Sequence, residues 1–495
     1  MGCGLFGAYS VQGNDVVPII YWGLRAQNHR GQQSHGFVTY ADSNFKTRRG
    51  LGVVPQWPRS RNNKKTWADK LESNMGLGSV RYTTFGKIDP ESLLNGAQPV
   101  VIDGFAEVFN GGIIETKDLR RKVRSKYPRF NAPNCDLEYI ARRQNVDSNA
   151  SVAETVRDVM KDVEGAYSVA AMSRDGDFFA FRDPHGIRPL CFGFDEKRGL
   201  YSVSSETVGL NINDVTYDPK NFEIKPGELV FFRKNGLERE QLVNPRGKAF
   251  CSFEFAYFAR PDSRLLEETD KSVYEMREEF GRNLVYENPD VIKQTDVIVS
   301  IPETADDAAL GAHEASGLKW DRCSRRHRYI SERAFQLLKS EREFIVGKKV
   351  NIIPGKVRGK KVTIIEDSIV RSDTTRVQVR RFRDYGGAEN VYVFSTFPKI
   401  QGPCLYGINM ATYGELIGAD KNEEEIAEAI GADAVRYQSL DGFIKAIGIS
   451  KDNLCFGCIT GKYPTPCAQK IMDQGRKDFE SGIMPLVKLI DQNQG

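Results

Sequence analysis

Histidine is scarce in this chain, with five in 495 residues, which turns attention to nucleophiles that carry their own base. No apolar run reaches the ~20 residues of a membrane span. The first residues lack the charged-then-apolar layout of a signal peptide. Met1-Gly2-Cys3 invites a lipidation reading, but Phe6 stands where the myristoylation pattern wants Ser or Thr. A cytoplasmic protein with no membrane partner is expected. Neither sign of charge dominates: 70 basic and 66 acidic residues leave a net +4, with no basic tail. That removes the case for nucleic acid as a main partner. Internal repeats and low-complexity segments are missing too. Nine cysteines make an odd count, which argues against a disulfide framework and gives weight to catalytic or metal use.

What is present begins at Cys3, within Met1-Gly2-Cys3-Gly4-Leu5-Phe6-Gly7. A thiol whose own residue carries a free α-amine needs no separate general base. One early cysteine is by itself most simply a small buried hydrophobe, so the blocks downstream decide. They are Asn28-His29-Arg30-Gly31-Gln32-Gln33-Ser34-His35-Gly36, Gly78-Ser79-Val80-Arg81-Tyr82-Thr83-Thr84-Phe85-Gly86, Phe109-Asn110-Gly111-Gly112-Ile113 and Cys135-Asp136-Leu137-Glu138. Each offers a group that glutamine hydrolysis needs. A guanidinium such as Arg81 suits the α-carboxylate and Asp136 suits the α-ammonium. The Asn110 amide and the Gly111 N–H suit an oxyanion. Singly these are weak signals, since a lone Arg is usually a solvated surface residue and Asn-Gly is usually a turn.

In order and spacing the blocks resemble the class II, N-terminal-nucleophile glutamine amidotransferases. Arg182-Asp183-Pro184-His185-Gly186-Ile187-Arg188-Pro189-Leu190 and Ser204-Ser205-Glu206-Thr207 extend the match. Within that class the chain is most similar to the amidophosphoribosyltransferases, which open purine synthesis. Phe253-Glu254-Phe255-Ala256-Tyr257-Phe258-Ala259-Arg260-Pro261-Asp262-Ser263 marks the start of their second domain, and Glu366-Asp367-Ser368-Ile369-Val370-Arg371 looks like their phosphoribosyl-diphosphate loop. The resemblance implies Cys3, Asn110 and Gly111 as catalytic residues and Arg30, Arg81 and Asp136 as glutamine-binding residues. It implies Glu366, Asp367, Ser368, Arg371, Thr374 and Thr375 as the phosphoribosyl and Mg²⁺ site, and a homo-oligomer.

Cys455-Phe456-Gly457-Cys458 is the one close cysteine pair, and alone it is ambiguous among zinc, iron–sulfur and redox chemistry. The resemblance implies Cys251 and Cys404 as two further ligands, and Thr460-Gly461-Lys462-Tyr463-Pro464 matches the same iron–sulfur branch. Four thiolates suit a [4Fe–4S] cluster or, as the alternative, tetrahedral zinc. Cys135, Cys191, Cys323 and Cys467 read as core or incidental thiols.

The implied fold is an αββα four-layer sandwich of the N-terminal-nucleophile type, followed by an α/β type I phosphoribosyltransferase-like domain with a parallel sheet. The chain is long enough for both. Short β-rich runs such as Tyr167–Met172 and Glu228–Phe232 fill the part up to about residue 235. Beyond about 250, apolar β-branched runs alternate with helices (Asp296–Ile301, Lys361–Ile365, Val391–Phe394) and indicate the parallel sheet. Glu423–Ile430 and the stretch from Cys467 onward read as amphipathic helices. The expected units are 3–235, 250–465 and a helical tail 466–495, with the join at 236–249.

Three segments depart from the family pattern, all where the diphosphate would bind. After Arg371 the family has Gly-Thr-Thr and this chain has Ser372-Asp373-Thr374-Thr375. A carboxylate about 4 Å from a phosphate charge costs ~4 kcal/mol at an effective dielectric of about 20, and even half of that weakens binding more than about tenfold. The family's Pro-Asp-Ser-Gly turn is here Pro302-Glu303-Thr304-Ala305-Asp306-Asp307, without the glycine that permits close backbone approach. Its Arg-Tyr-x-Gly-Arg-Thr-Phe loop is Arg328-Tyr329-Ile330-Ser331-Glu332-Arg333-Ala334-Phe335. The first expectation is amination of phosphoribosyl diphosphate by glutamine. Two alternatives stand beside it: a paralogue that aminates another acceptor, and a non-catalytic scaffold or regulator. Gly2 raises one more question, because Cys3 has a free amine only when Met1 and Gly2 are both removed.

Overall fold

The computed structural model describes residues 3–59, 65–83, 89–327, 348–410 and 412–483. Gly2, the end of the Arg81 block (Thr84 to Gly86), the Arg328–Phe335 segment and the last part of the tail lie outside the described residues.

Twelve strands build the first unit. They are β1 (Gly4–Ser10), β2 (Ser34–Ala41), β3 (Asn44–Leu51), β4 (Met75–Arg81), β5 (Val100–Ile102), β6 (Phe105–Ile114), β7 (Glu164–Ser173), β8 (Phe178–Arg182), β9 (Cys191–Asp195), β10 (Leu200–Ser204), β11 (Glu228–Arg233) and β12 (Gly236–Gln241). They form two six-stranded sheets, ordered β3-β2-β4-β1-β10-β9 and β12-β11-β8-β7-β6-β5, with every pairing antiparallel. Strand β7 shows why the layers stack. Its side chains alternate, so Tyr167, Val169 and Ala171 join the core beneath the helices while Ala170 and Met172 join the core between the sheets. The Val17–Ala26 helix covers the outer face of the first sheet, and the helices Lys117–Lys126, Leu137–Gln144 and Val152–Asp162 cover that of the second. The result is the expected αββα sandwich.

One boundary is corrected. Residue 235 falls inside the β11–β12 hairpin, whose register pairs Arg233 with Gly236 and Glu228 with Gln241. The first unit therefore runs at least to Gln241. Strand β12 reads GLEREQ, an edge strand whose charge guards against further pairing, and that polarity made it look like a linker.

The second unit begins at β13 (Phe250–Cys251). Its four-stranded parallel sheet is ordered β14 (Val297–Ser300), β17 (Lys361–Glu366), β18 (Asn390–Ser395) and β19 (Ala434–Tyr437). A small antiparallel ribbon pairs β15 (Ser324–Arg326) with β16 (Val350–Ile352). Helices pack on both faces of the parallel sheet. Val299, Ile364 and Val393 point into one core, Ile298, Ile365 and Phe394 into the other. Finally, β20 (Leu454–Cys455) lies parallel to β13, and the Pro466–Glu480 helix follows. A continuous apolar core joins the two units, with Tyr82, Ala166 and Ile187 of the first packed among Phe250, Phe397 and Tyr406 of the second.

Candidate active site and thiol cluster

Cys3 sits at the head of β1, buried. The next residue, Gly4, pairs with Val80 across the β1–β4 ladder, so the thiol lies against the end of β4. Its Sγ is 4.0 Å from the Tyr82 carbonyl oxygen. Two glycines keep this corner open. A Cβ on Gly31 would lie 2.4 Å from the Val80 carbonyl carbon, and one on Gly96 would lie 2.3 Å from Nη1 of Arg81. Arg81 and Asp136 are the charged neighbours of the thiol. Burial pushes the Cys3 thiol above its ordinary value, with Arg81 opposing and Asp136 adding to the rise.

On the facing sheet, β6 carries Asn110 and Gly111. Among the described residues the buried Asn110 amide has no hydrogen-bond partner at Nδ2 or Oδ1. An unpaired buried donor is costly to keep, and that cost is offset when a reaction intermediate supplies the acceptor. Gly111 has no room for a side chain, since a Cβ would lie 1.9 Å from the Ala166 carbonyl oxygen. Asp136 precedes the Leu137–Gln144 helix and is anchored by the Ile113 N–H, which donates to Oδ2 at 3.0 Å.

Arg30, expected to meet glutamine, has its guanidinium nitrogens in protein contacts. Its Nε donates to the Cys3 carbonyl at 3.1 Å, Nη1 donates to Glu206, and Nη2 donates to both Glu254 oxygens at 2.7 and 2.9 Å. Glu254 also accepts from Arg188 at 2.9 Å, and Arg188 Nε donates to the Tyr406 carbonyl at 3.0 Å. All four charged side chains are fully buried. Arg30 therefore holds the nucleophile's backbone through its bond to the Cys3 carbonyl.

Two further residues stand at this site, one quoted in a sequence block without a role and one outside every block. Cys135, read as an incidental thiol, and Gln98 both stand beside Cys3: the Gln98 Nε2 lies 3.9 Å from each of the two sulfurs. Only the tertiary fold brings these segments together.

The second site opens at the carboxyl ends of β14 and β17, where ligands of open α/β sheets bind. A cavity of about 230 Å³ is lined by Glu366, Asp367, Ser368, Arg371, Thr374 and Thr375, so all six expected residues share one wall. Tyr82 lines it as well. Burial pushes the Glu366 carboxyl up to about 8, aided by the Asp367 charge, and pushes Asp367 up to about 6. Ser372 holds the left-handed conformation (φ 66°), which favours the glycine that the family pattern has there. Asp373 opens the Asp373–Arg380 helix and pairs with Arg376 at 3.2 Å. Its carboxylate meets a guanidinium one turn away, which screens much of the repulsion expected for a phosphate.

The four candidate metal ligands lie at the β13–β20 pair. Cys251 and Cys455 are direct register partners, Cys458 follows on the Gly457–Thr460 helix, and Cys404 Sγ accepts the Tyr406 N–H at 3.3 Å. Burial pushes Cys251 up to about 11, with Arg188 opposing and Glu254 and Cys404 adding to the rise; burial also raises Cys455, with Cys251 and Cys404 adding to it, and Cys458, with Cys404, Cys455 and Cys251 adding to it. The crowding keeps these groups as neutral thiols, and a bound cation would favour their thiolate form. Among the described residues no group of three or more His, Cys, Asp or Glu side chains is already gathered to hold a metal ion, so a bound group would have to draw these neighbours in.

An N-terminal-nucleophile sandwich with a cysteine at the head of β1, joined to a parallel-sheet unit with acidic residues at a strand end, defines a glutamine amidotransferase with a phosphoribosyltransferase-like partner domain. The family described as "Glutamine amidotransferase domain" matches residues 87–211. The amidophosphoribosyltransferase of Methanocaldococcus jannaschii is 36% identical, covering 94% of this chain and 98% of that protein. That of Bacillus subtilis is 30% identical, covering 94% and 95%. The solved Bacillus subtilis glutamine phosphoribosylpyrophosphate amidotransferase, complexed with ADP and GMP, superposes with a TM-score of 0.80 at 30% identity, covering 94% of this chain and 97% of that one. The chain belongs to the amidophosphoribosyltransferase family, and it is an enzyme of purine biosynthesis. The paralogue and scaffold readings find no support in these comparisons. No helix among the described residues is long and apolar enough to cross a membrane.

Proposed function

We propose that the chain hydrolyses glutamine at Cys3 and passes the ammonia to phosphoribosyl diphosphate, giving phosphoribosylamine, pyrophosphate and glutamate. The observation that carries this reading is the buried Cys3 at the head of β1 with the opposite charges of Arg81 and Asp136 acting on its thiol, and the facing sheet adds an unpartnered amide at Asn110. Arg81 holds the substrate α-carboxylate and Asp136 its α-ammonium. The Cys3 sulfur attacks the side-chain amide carbon, and its proton passes through the Cys3 α-amine to the leaving ammonia. The Asn110 Nδ2 and Gly111 N–H stabilise the oxyanion. Water then cleaves the thioester and frees glutamate. A peptide nitrogen is not basic, so this route requires that Met1 and Gly2 be removed.

In the second cavity Glu366 and Asp367 take the ribose hydroxyls, while Ser368, Thr374, Thr375 and the backbone at the start of the Asp373–Arg380 helix take the 5′-phosphate. Arg371 adds positive charge. Glu366 and Asp367 are the residues that would hold Mg²⁺ here, and the ion would supply charge that screens the diphosphate. The units are then 3–241 for glutamine hydrolysis and 250–465 for the acceptor, with the helical tail after them, in a cytoplasmic homo-oligomer. The donor set of Cys251, Cys404, Cys455 and Cys458 fits a [4Fe–4S] cluster, which would tie β13 to β20. Anaerobic protein is expected to carry about four iron and four sulfide per chain; one zinc per chain would favour the alternative.

The function is tested by release of glutamate and pyrophosphate, with the acceptor and Mg²⁺ present or omitted. Matched release supports the reading, and glutamate without pyrophosphate sends the search to another acceptor.

A further inference from the structure

Gln98 is 1% exposed and stands at the end of the segment that leads into β5. Its Oε1 accepts the Phe109 N–H at 2.8 Å, one residue before Asn110, so the amide is pinned in one orientation with its NH₂ turned away from β6. That NH₂ has two hydrogens, and two sulfurs lie at 3.9 Å from the nitrogen, Sγ of Cys3 and Sγ of Cys135. The Cys135 thiol lies in turn 3.8 Å from Oδ1 of Asp136, to which it donates. A chain of contacts thus runs from Asp136 through Cys135 and Gln98 to the nucleophile.

We propose that Gln98 is a catalytic residue whose side-chain amide donates to the Cys3 sulfur and stabilises the thiolate, with Cys135 as a positioning residue that holds the amide's other hydrogen. The proposal deepens the amidotransferase reading and rests on Cys3 as its nucleophile. The contact is long for a hydrogen bond, as catalytic contacts often are before substrate binds, and it tightens as negative charge gathers on sulfur. A buried thiolate needs such a donor because desolvation works against it. The other groups facing Cys3 are Arg81 and the Tyr82 carbonyl from the end of β4, and Asp136 and Cys135 from the segment before the Leu137–Gln144 helix. Arg81 supplies charge but, on the reading above, is occupied by the substrate carboxylate, and Asp136 opposes ionisation. Gln98 is the neutral donor aimed at the sulfur itself.

The two ends of the amide separate the proposal from a purely structural role. Gln98→Glu keeps an oxygen for the Phe109 N–H and replaces the donor with an acceptor; Gln98→Met removes both. The experiment follows iodoacetamide alkylation of Cys3 against pH on the full-length, correctly processed enzyme, with the site read by peptide mapping, alongside glutamate release. The proposal expects the alkylation midpoint to rise by about one pH unit or more in both variants, since one unit is what a modest charge-assisted contact supplies. Glutamate release should fall by about tenfold or more with it. Cys135→Ser, which keeps a group able to accept and donate, should track the wild type, while Cys135→Ala should shift the same way as Gln98→Met by a smaller amount. A wild-type alkylation profile in folded Gln98→Glu overturns the role of Gln98. A wild-type profile in Cys135→Ala overturns that of Cys135. Failure of the underlying reading shows separately, as glutamate release that survives Cys3→Ala.

Discussion

The Cys3 sulfur lies 4.0 Å from the carbonyl oxygen of Tyr82, and the same Tyr82 lines the cavity that holds Glu366 and Asp367. One residue at the end of β4 therefore touches both sites, and Asn409 Nδ2 contacts its hydroxyl at 3.5 Å from the acceptor side. Occupation of the second cavity is expected to be felt at the nucleophile through this residue. Tyr82→Ala should cut the stimulation of glutamate release by phosphoribosyl diphosphate at least several-fold, and Tyr82→Phe should keep most of it. Undiminished stimulation in folded Tyr82→Ala would show that the sites communicate by another route.

Asp373 is the departure whose meaning the structure changes most. Ser372 takes over the left-handed backbone position, and Arg376 faces the Asp373 carboxylate. The two charges of this pair act oppositely on an incoming phosphate. Asp373→Gly should lower the KM for phosphoribosyl diphosphate by up to about tenfold, less than the ~4 kcal/mol of an unscreened contact would give. Arg376→Ala should raise it, since the positive charge that opposes the Asp373 carboxylate at this turn is removed. Steady-state kinetics with varied acceptor and saturating glutamine decide both signs.

Much of this fold was legible because the core strands are apolar on both faces. Tyr167–Met172, Lys361–Ile365 and Val391–Phe394 all fall inside strands of the structure. Strand β12 was not legible, because its Leu-Glu-Arg-Glu pattern serves an exposed edge and resembles a linker. The site residues divide in the same way. Arg30 was visible as part of a block, but its partners Glu206 and Glu254 lie far along the chain, and only folding shows that they occupy its guanidinium. Gln98 belonged to no block, and Cys135 lay in a block but showed no role, since an amide between two sulfurs is a product of three segments meeting.

The Arg30–Glu254–Arg188 network is a stability element as well as a positioning one. Removing one member of a buried ion set leaves uncompensated charge, which costs roughly 3–5 kcal/mol. Glu254→Ala is expected to lose about that much stability and to slow glutamate release, because Arg30 no longer fixes the Cys3 carbonyl. Glu254→Gln keeps acceptor and donor atoms and should lose less. Denaturant unfolding with parallel glutaminase assays tests the order.

Glu107 on β6 is fully buried, and among the described residues neither carboxylate oxygen has a hydrogen-bond partner. Burial pushes its carboxyl up to about 8. The folded state thus holds a proton that the unfolded chain releases near its ordinary value of about 4.3. Stability attributable to this group is intact below about pH 4 and falls as pH rises toward 8, by on the order of 3 kcal/mol at pH 7. Glu107→Gln should flatten the decline of the unfolding midpoint between pH 5 and 8, and an unchanged slope would show that Glu107 finds a partner in solution.

The most direct test of the whole account is the pair of products formed by anaerobic protein whose first residue is verified by intact mass to be Cys3. With glutamine, phosphoribosyl diphosphate and Mg²⁺, the account predicts glutamate and pyrophosphate in equal amounts, both lost in Cys3→Ala. Glutamate formed with no pyrophosphate, or equal activity in protein that retains Gly2 before Cys3, would contradict it.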